Sequence, residues 1–234
     1  MSLPPNYILV PQGAEAAAIR RGLKKVPVFP PLVLTTPMSS LPLQNYLQKC
    51  LQEGYFNQHT PPRILLMGLC GSLSPQYQLG DIVIYESCIY AATKGLLRRN
   101  CDVSLTNWLQ EQLPDSAKLV TGLMSDQIIC QAQKKQQLAQ QYPAQVVDME
   151  GFSALEIFST TSIPVAMVRV VSDEIKQNLP DLNFAVTTDG SLATLPLVLG
   201  MLRQPLAALN LIQGSLQATQ ILQQITTILF SASG

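Results

Sequence analysis

Two long, nearly uncharged runs constrain this chain most: Arg63–Cys70 (RILLMGLC) and Pro164–Val171 (PVAMVRVV). Continuous apolar runs of this length, ended by glycine or by acidic residues, fit strands covered on both faces, and sheets buried in that way carry helices on each side. The segments between them have helical spacing. Tyr7–Val10 reads as a strand, Pro11–Gly13 as a turn and Ala14–Leu23 as a helix. A proline-broken strand over Pro27–Thr36 and a helix over Pro42–Gly54 follow, and Gly68–Ser72 is a small-residue turn. Further on the pattern predicts strands at Asp81–Ser87, Lys118–Gly122 and Gln145–Val147 and helices at Leu105–Leu113, Gln131–Gln141 and Met149–Thr160, the last opened by Asp148 as N-cap. Thr194–Arg203 and Leu206–Leu229 read as closing helices. Alternating strand and helix give an α/β protein with a mostly parallel or mixed sheet; three layers α/β/α around a central twisted mixed sheet are the expectation. No linker or repeat divides the chain, so residues 1–234 are expected to form a single domain.

Composition removes several classes of function. Charged residues are 13% of the chain, and 15 basic residues balance 15 acidic ones. Nucleic-acid binders need a concentrated positive face; here Lys24–Lys25, Arg98–Arg99 and Lys134–Lys135 are isolated pairs, read as solvated surface. No nucleic-acid partner is expected. One histidine (His59) and five cysteines without a C-x-x-C pair are poor material for a metal site or a disulfide framework, so neither metal nor cofactor is expected and the thiols read as reduced. The N-terminus has no basic region leading into an apolar core, and the tail from Gln204 is too polar for a membrane span, which together predict a cytoplasmic protein. His59 reads as exposed, Trp108 as core, and Cys70 as a small residue in the turn rather than a reactive thiol.

Ligands of α/β sheets bind beyond the carboxyl ends of the strands. Acidic residues collect at three such ends: Glu15; Asp148 and Glu150; Asp173 and Glu174. An acid at a helix start is commonly only a cap. Several at one sheet edge, without metal-ligand histidines, can accept hydrogen bonds from sugar hydroxyls and move protons.

Four motifs occur in order: Gly68–Leu73, Gly80-Asp81-Ile82-Val83, Asp148-Met149-Glu150-Gly151, and Arg169 leading to Ser172-Asp173. Together they resemble the purine nucleoside phosphorylase, uridine phosphorylase and methylthioadenosine/adenosylhomocysteine nucleosidase superfamily, over roughly residues 7–175. The resemblance implies cleavage of a purine nucleoside at its N-glycosidic bond. Glu150 would bind the ribose hydroxyls and Met149 would pack beside the sugar. Asp173 would be the general acid on the departing base, with Ser172 placing it and Arg169 supporting the site, while Glu15 is a looser match to the glutamate that activates water. Gly71 and Cys70 would lie against the substrate.

The departures are as informative. Leu66 and Leu69 stand where the phosphorylases carry phosphate-binding Arg and Ser/Thr, and Pro11–Ala16 lacks the G-D-P-x-R signature. An apolar side chain cannot donate to a dianion, so water is expected as the nucleophile; Arg20 and Arg21 are the alternative, as a rearranged phosphate site. Ile128 and Ile129 replace the aromatic that stacks on the base, with Asp126 the nearest polar residue. A non-catalytic nucleoside-binding protein of the same fold is a further alternative. The tail, with Leu179-Pro180, Asp189-Gly190 and Arg203-Gln204-Pro205, is similar to the hopanoid-associated branch, which implies a lipid-linked (adenosylated triterpenoid) substrate and a protein peripheral to a membrane; read without that similarity, the tail leucines simply pack the core and an oligomer interface. The family also implies a homo-oligomer.

Overall fold

The computed structural model describes residues 3–26, 30–59, 61–93, 95–113, 117–185, 187, 189–190, 193 and 201–231. Among the described residues eight strands, β1 (Tyr7–Pro11), β2 (Leu32–Thr36), β3 (Ile64–Ser72), β4 (Ile82–Ala92), β5 (Gly95–Asn100), β6 (Ala117–Met124), β7 (Val146–Asp148) and β8 (Val165–Asp173), form one mixed sheet. Accompanying them among the described residues are the α-helices α1 (Ala14–Leu23), α2 (Ser40–Gln52), α3 (Val103–Gln112), α4 (Ala132–Gln141), α5 (Gly151–Ser159) and α6 (Pro205–Ser231).

The period of two along each strand sorts the core into two faces. Tyr7, Leu9, Ile64, Leu66, Val165 and Met167 meet Leu43 and Leu47 of α2 and Phe152, Leu155 and Phe158 of α5. Their neighbours Ile8, Val10, Leu65, Met67, Ala166 and Val168 meet Ile19 of α1, Trp108 of α3 and Leu222, Ile225 and Leu229 of α6. This is the three-layer α/β/α arrangement that continuous apolar strands require. The strands run in the order β2-β1-β3-β7-β6-β4-β5, and β8 pairs with both β3 (parallel) and β4 (antiparallel), which closes a ring of pairings through β3, β7, β6, β4 and β8.

Several boundaries differ from the sequence reading. Gly68–Ser72 is not a turn: it continues β3, because β8 runs alongside it and Gly71 and Ser72 pair antiparallel with Val147 and Val146 of β7. The expected strand over Pro27–Thr36 starts at Leu32; residues 27–29 lie outside the described residues. Helix α2 begins at Ser40, with Pro42 in its first turn, where a missing N–H costs nothing. Strand β4 runs on to Ala92 and returns as β5, a hairpin that the charged Gly95–Asn100 sequence concealed. Helix α5 starts at Gly151 rather than Met149, since Asp148 is still strand. Of the predicted helix Thr194–Arg203, residues 194–200 lie outside the described residues, and Met201–Arg203 are helical. His59 is exposed and Trp108 is buried. Among the described residues no helix is long and apolar enough to cross a membrane.

Candidate active site

The carboxyl ends of β1, β3, β7 and β8 surround a cavity of about 450 Å³. Every residue singled out for the site lines it: Glu15, Cys70, Gly71, Met149, Glu150, Arg169, Ser172 and Asp173. They come from four separate stretches of chain, and the topology alone brings them together.

The registers explain their placement. Cys70 pairs with Val171 but Gly71 pairs with Asp173, so Ser172 is an extra residue in β8. A bulge breaks the alternation of side chains, and here the adjacent residues Ser172 and Asp173 both reach the cavity. The Ser172 hydroxyl lies 2.9 Å from Asp173 Oδ2 and 3.2 Å from the Cys70 carbonyl, able to donate to either. Gly71 makes this approach possible: a Cβ there would stand 3.0 Å from Asp173 Oδ1.

A second group of charges surrounds Arg169. Its guanidinium is fully buried, and Nη2 lies 3.3 Å from Asp148 Oδ2 and 3.4 Å from Glu150 Oε2. Asp148 also caps α5, with Oδ1 accepting the Gly151 N–H at 3.0 Å. Across β3, Glu15 Oε2 accepts the Leu69 N–H at 2.8 Å. Gly68 separates Glu15 from Arg169, since a Cβ there would overlap both Arg169 Nη1 and Glu15 Oε2. Arg169 Nη1 and Nε have no hydrogen-bond acceptor among the described residues.

The carboxyls of Glu15 and Glu150 are raised above their ordinary range. Burial is the main cause for both Glu15 and Glu150, opposed by the Arg169 charge; Glu150 is pushed up to about 7. The Ser39 N–H also favours the Glu150 anion, and Ser39 sits at φ 73°, a left-handed conformation rare outside glycine. The Cys70 thiol is buried and pushed well above its ordinary range, so it is no nucleophile.

The remaining wall is apolar. Ile128 and Ile129 line it beside Leu179 and Leu182, and Asn183 fixes the Ile128 backbone by accepting its N–H (2.9 Å) and donating to its carbonyl (3.1 Å). Among the described residues no aromatic side chain lines the cavity. Asp126 accepts from the Tyr90 hydroxyl instead of facing the cavity. Helix α6 adds Leu211, Ile212, Ser215 and Leu216. Leu66 is core and Leu69 lines the cavity, whereas Arg20 and Arg21 lie exposed on α1 and do not line it, Arg21 bonding to Gln223.

One residue reverses its sequence reading. Lys135 was expected on a solvated surface with Lys134, but it is fully buried and paired with Asp173. Its Nζ also donates to the Glu174 and Gln177 carbonyls at 3.0 and 3.2 Å. Nothing in the polar run QAQKKQQ distinguishes Lys135 from Lys134; only the neighbouring end of β8 does.

The profile of the Phosphorylase superfamily matches residues 48–193, more than half of the chain. This protein belongs to that superfamily and is one of its enzymes. Its fold is similar to that of the futalosine hydrolase of Helicobacter pylori (13% identity, 97% of each chain covered, TM-score 0.71). It is also similar to the 5'-methylthioadenosine/S-adenosyl homocysteine nucleosidases of Helicobacter pylori (12% identity, 96% of each chain, TM-score 0.69) and Campylobacter jejuni (12% identity, 96% of this chain and 99% of that one, TM-score 0.65). No curated protein matches the sequence.

Proposed function

We propose that the enzyme cleaves the N-glycosidic bond of an adenosine-type purine nucleoside, with water as the nucleophile. The observation that carries this reading is the convergence of Glu15, Glu150, Arg169 and Asp173 on one cavity. Breaking such a bond builds positive charge on the sugar and negative charge on the departing ring. Glu150 accepts hydrogen bonds from the ribose hydroxyls, with Met149 against the sugar face. Asp173, placed by Ser172, gives its proton to a ring nitrogen, and the electron pair of the C–N bond stays with the ring. Glu15 takes a proton from the attacking water, and Arg169, whose Nη1 and Glu15 Oε2 both flank Gly68, helps orient it.

The electrostatics support water over phosphate. Glu15, Asp148 and Glu150 already surround the single buried arginine, and the Leu69 N–H is taken by Glu15. A phosphate dianion would meet carboxylates without a free cation from α1, since Arg20 and Arg21 are elsewhere. The purine ring would lie between Ile128, Leu179 and Leu182. The leucine-rich wall from α6 suits an apolar substituent on the sugar, such as a lipid-linked one, and exposed Leu206 and Leu209 on that helix fit work at a membrane surface of the cytoplasm. Leu96 and Leu97, exposed on edge strand β5, favour a homo-oligomer, which light scattering would test.

Incubation with adenosine and 5'-substituted adenosines, followed by chromatography for free adenine, tests the reading. Release of adenine that Asp173→Asn slows about 100-fold or more is expected. Tight nucleoside binding without any release would make the protein a non-catalytic binder.

A further inference from the structure

Lys135, the buried partner of Asp173, lies outside the family motifs that led to the site. An ammonium removed from water is costly unless its charge is paired and its three N–H groups are satisfied. Lys135 meets both conditions: Asp173 Oδ1 takes one N–H, and the Glu174 and Gln177 carbonyls take the others at 3.0 and 3.2 Å. These three acceptors belong to the end of β8 and the segment that follows it. Lys135 thereby ties α4 to the stretch of backbone that carries Asp173. Asp173 is held on both sides, by Lys135 at Oδ1 and by the Ser172 hydroxyl at Oδ2, and still lines the cavity. The Cys130 thiol, itself buried, also lies near the ammonium.

We propose that Lys135 is a positioning residue that acts through Asp173: it fixes the orientation of the acid and stabilises the carboxylate formed when Asp173 protonates the departing base. The inference rests on the reading of Asp173 as leaving-group acid. In the step concerned, Asp173 first takes up a proton from water in the cavity; that O–H bond then breaks, the proton bonds to a ring nitrogen, and the glycosidic electron pair stays with the ring, which restores the carboxylate–ammonium pair. The negative charge left on Asp173 then faces the Lys135 ammonium. A fixed cation beside a developing anion in a site poor in water favours that transfer. A merely structural lysine would affect all substrates alike; this one matters in proportion to the proton demand of the leaving group.

The test compares wild type, Lys135→Met, Asp173→Asn and the double variant on adenosine, and on 4-nitrophenyl β-D-ribofuranoside, whose leaving group departs without a proton. Lys135→Met is expected to lower kcat on adenosine about 100-fold with KM within about 3-fold. The loss on the nitrophenyl riboside is expected to be at least about 10-fold smaller. In the Asp173→Asn background, Lys135→Met should change kcat on either substrate by less than about 3-fold, because residues acting as a unit are not additive. If Lys135→Met alone does not fold, the comparison of Asp173→Asn with the double variant still decides, since removing both charges strands neither. Equal losses on the two substrates, or a further large loss in the Asp173→Asn background, would overturn the role of Lys135 while leaving the hydrolase reading intact. A wild type that cleaves neither riboside overturns both.

Discussion

Glu150 is where the electrostatics of the site can be measured. Burial lifts its carboxyl to about 7, so the group is neutral below that pH and anionic above it. Only the anion accepts both ribose hydroxyls, so kcat/KM is expected to rise with pH through about 7, and a pH–rate profile of the free enzyme reports that limb. Glu150→Gln should flatten it and cut kcat/KM about 100-fold, mainly through KM. A profile with an unchanged acid limb in that variant would remove Glu150 from the diol. At Gly68, alanine would force its Cβ onto Arg169 Nη1 and Glu15 Oε2 together; a loss of kcat/KM of about 100-fold is expected in a protein that still melts cooperatively. At this scale the acids were legible, because carboxylates after apolar strands have few other reasons to gather. Lys135 was not, since its burial depends on a segment 38 positions away in sequence.

Among the elements, α6 divides its leucines by role. Leu222 is fully buried against the sheet, whereas Leu209 is 53% exposed. Leu222→Ala should destabilise the protein by about 2–5 kcal/mol in denaturant titrations, and Leu209→Ala by about 0.5 kcal/mol or less. Equal effects would mean that α6 packs through the other face. The buried strands and most helices could be read from the run of apolar residues, because both faces of β3 and β8 are covered. Strand β5 could not: GLLRRN is exposed along most of its length, so it lacks the apolar signal and is fixed by its pairing to β4. The glycine segment of β3 misled for a related reason. Gly68 and Gly71 mark close approach to Arg169, Glu15 and Asp173 rather than a reversal of the chain.

For the molecule as a whole, the closed ring of strand pairings places the carboxyl ends of β3, β7 and β8 around one cavity. The alternation of elements predicted the layers but not the closure, which depends on β8 serving two partners at once. The sum of charge around that cavity favours water over phosphate as the group that attacks the sugar. The direct measurement is turnover of adenosine or a 5'-substituted adenosine in ¹⁸O-labelled water, with and without phosphate, followed by mass spectrometry of the sugar product. Hydrolysis predicts free base, a free sugar carrying solvent oxygen, and the same rate in both buffers; a phosphorylated sugar formed only when phosphate is present would contradict it.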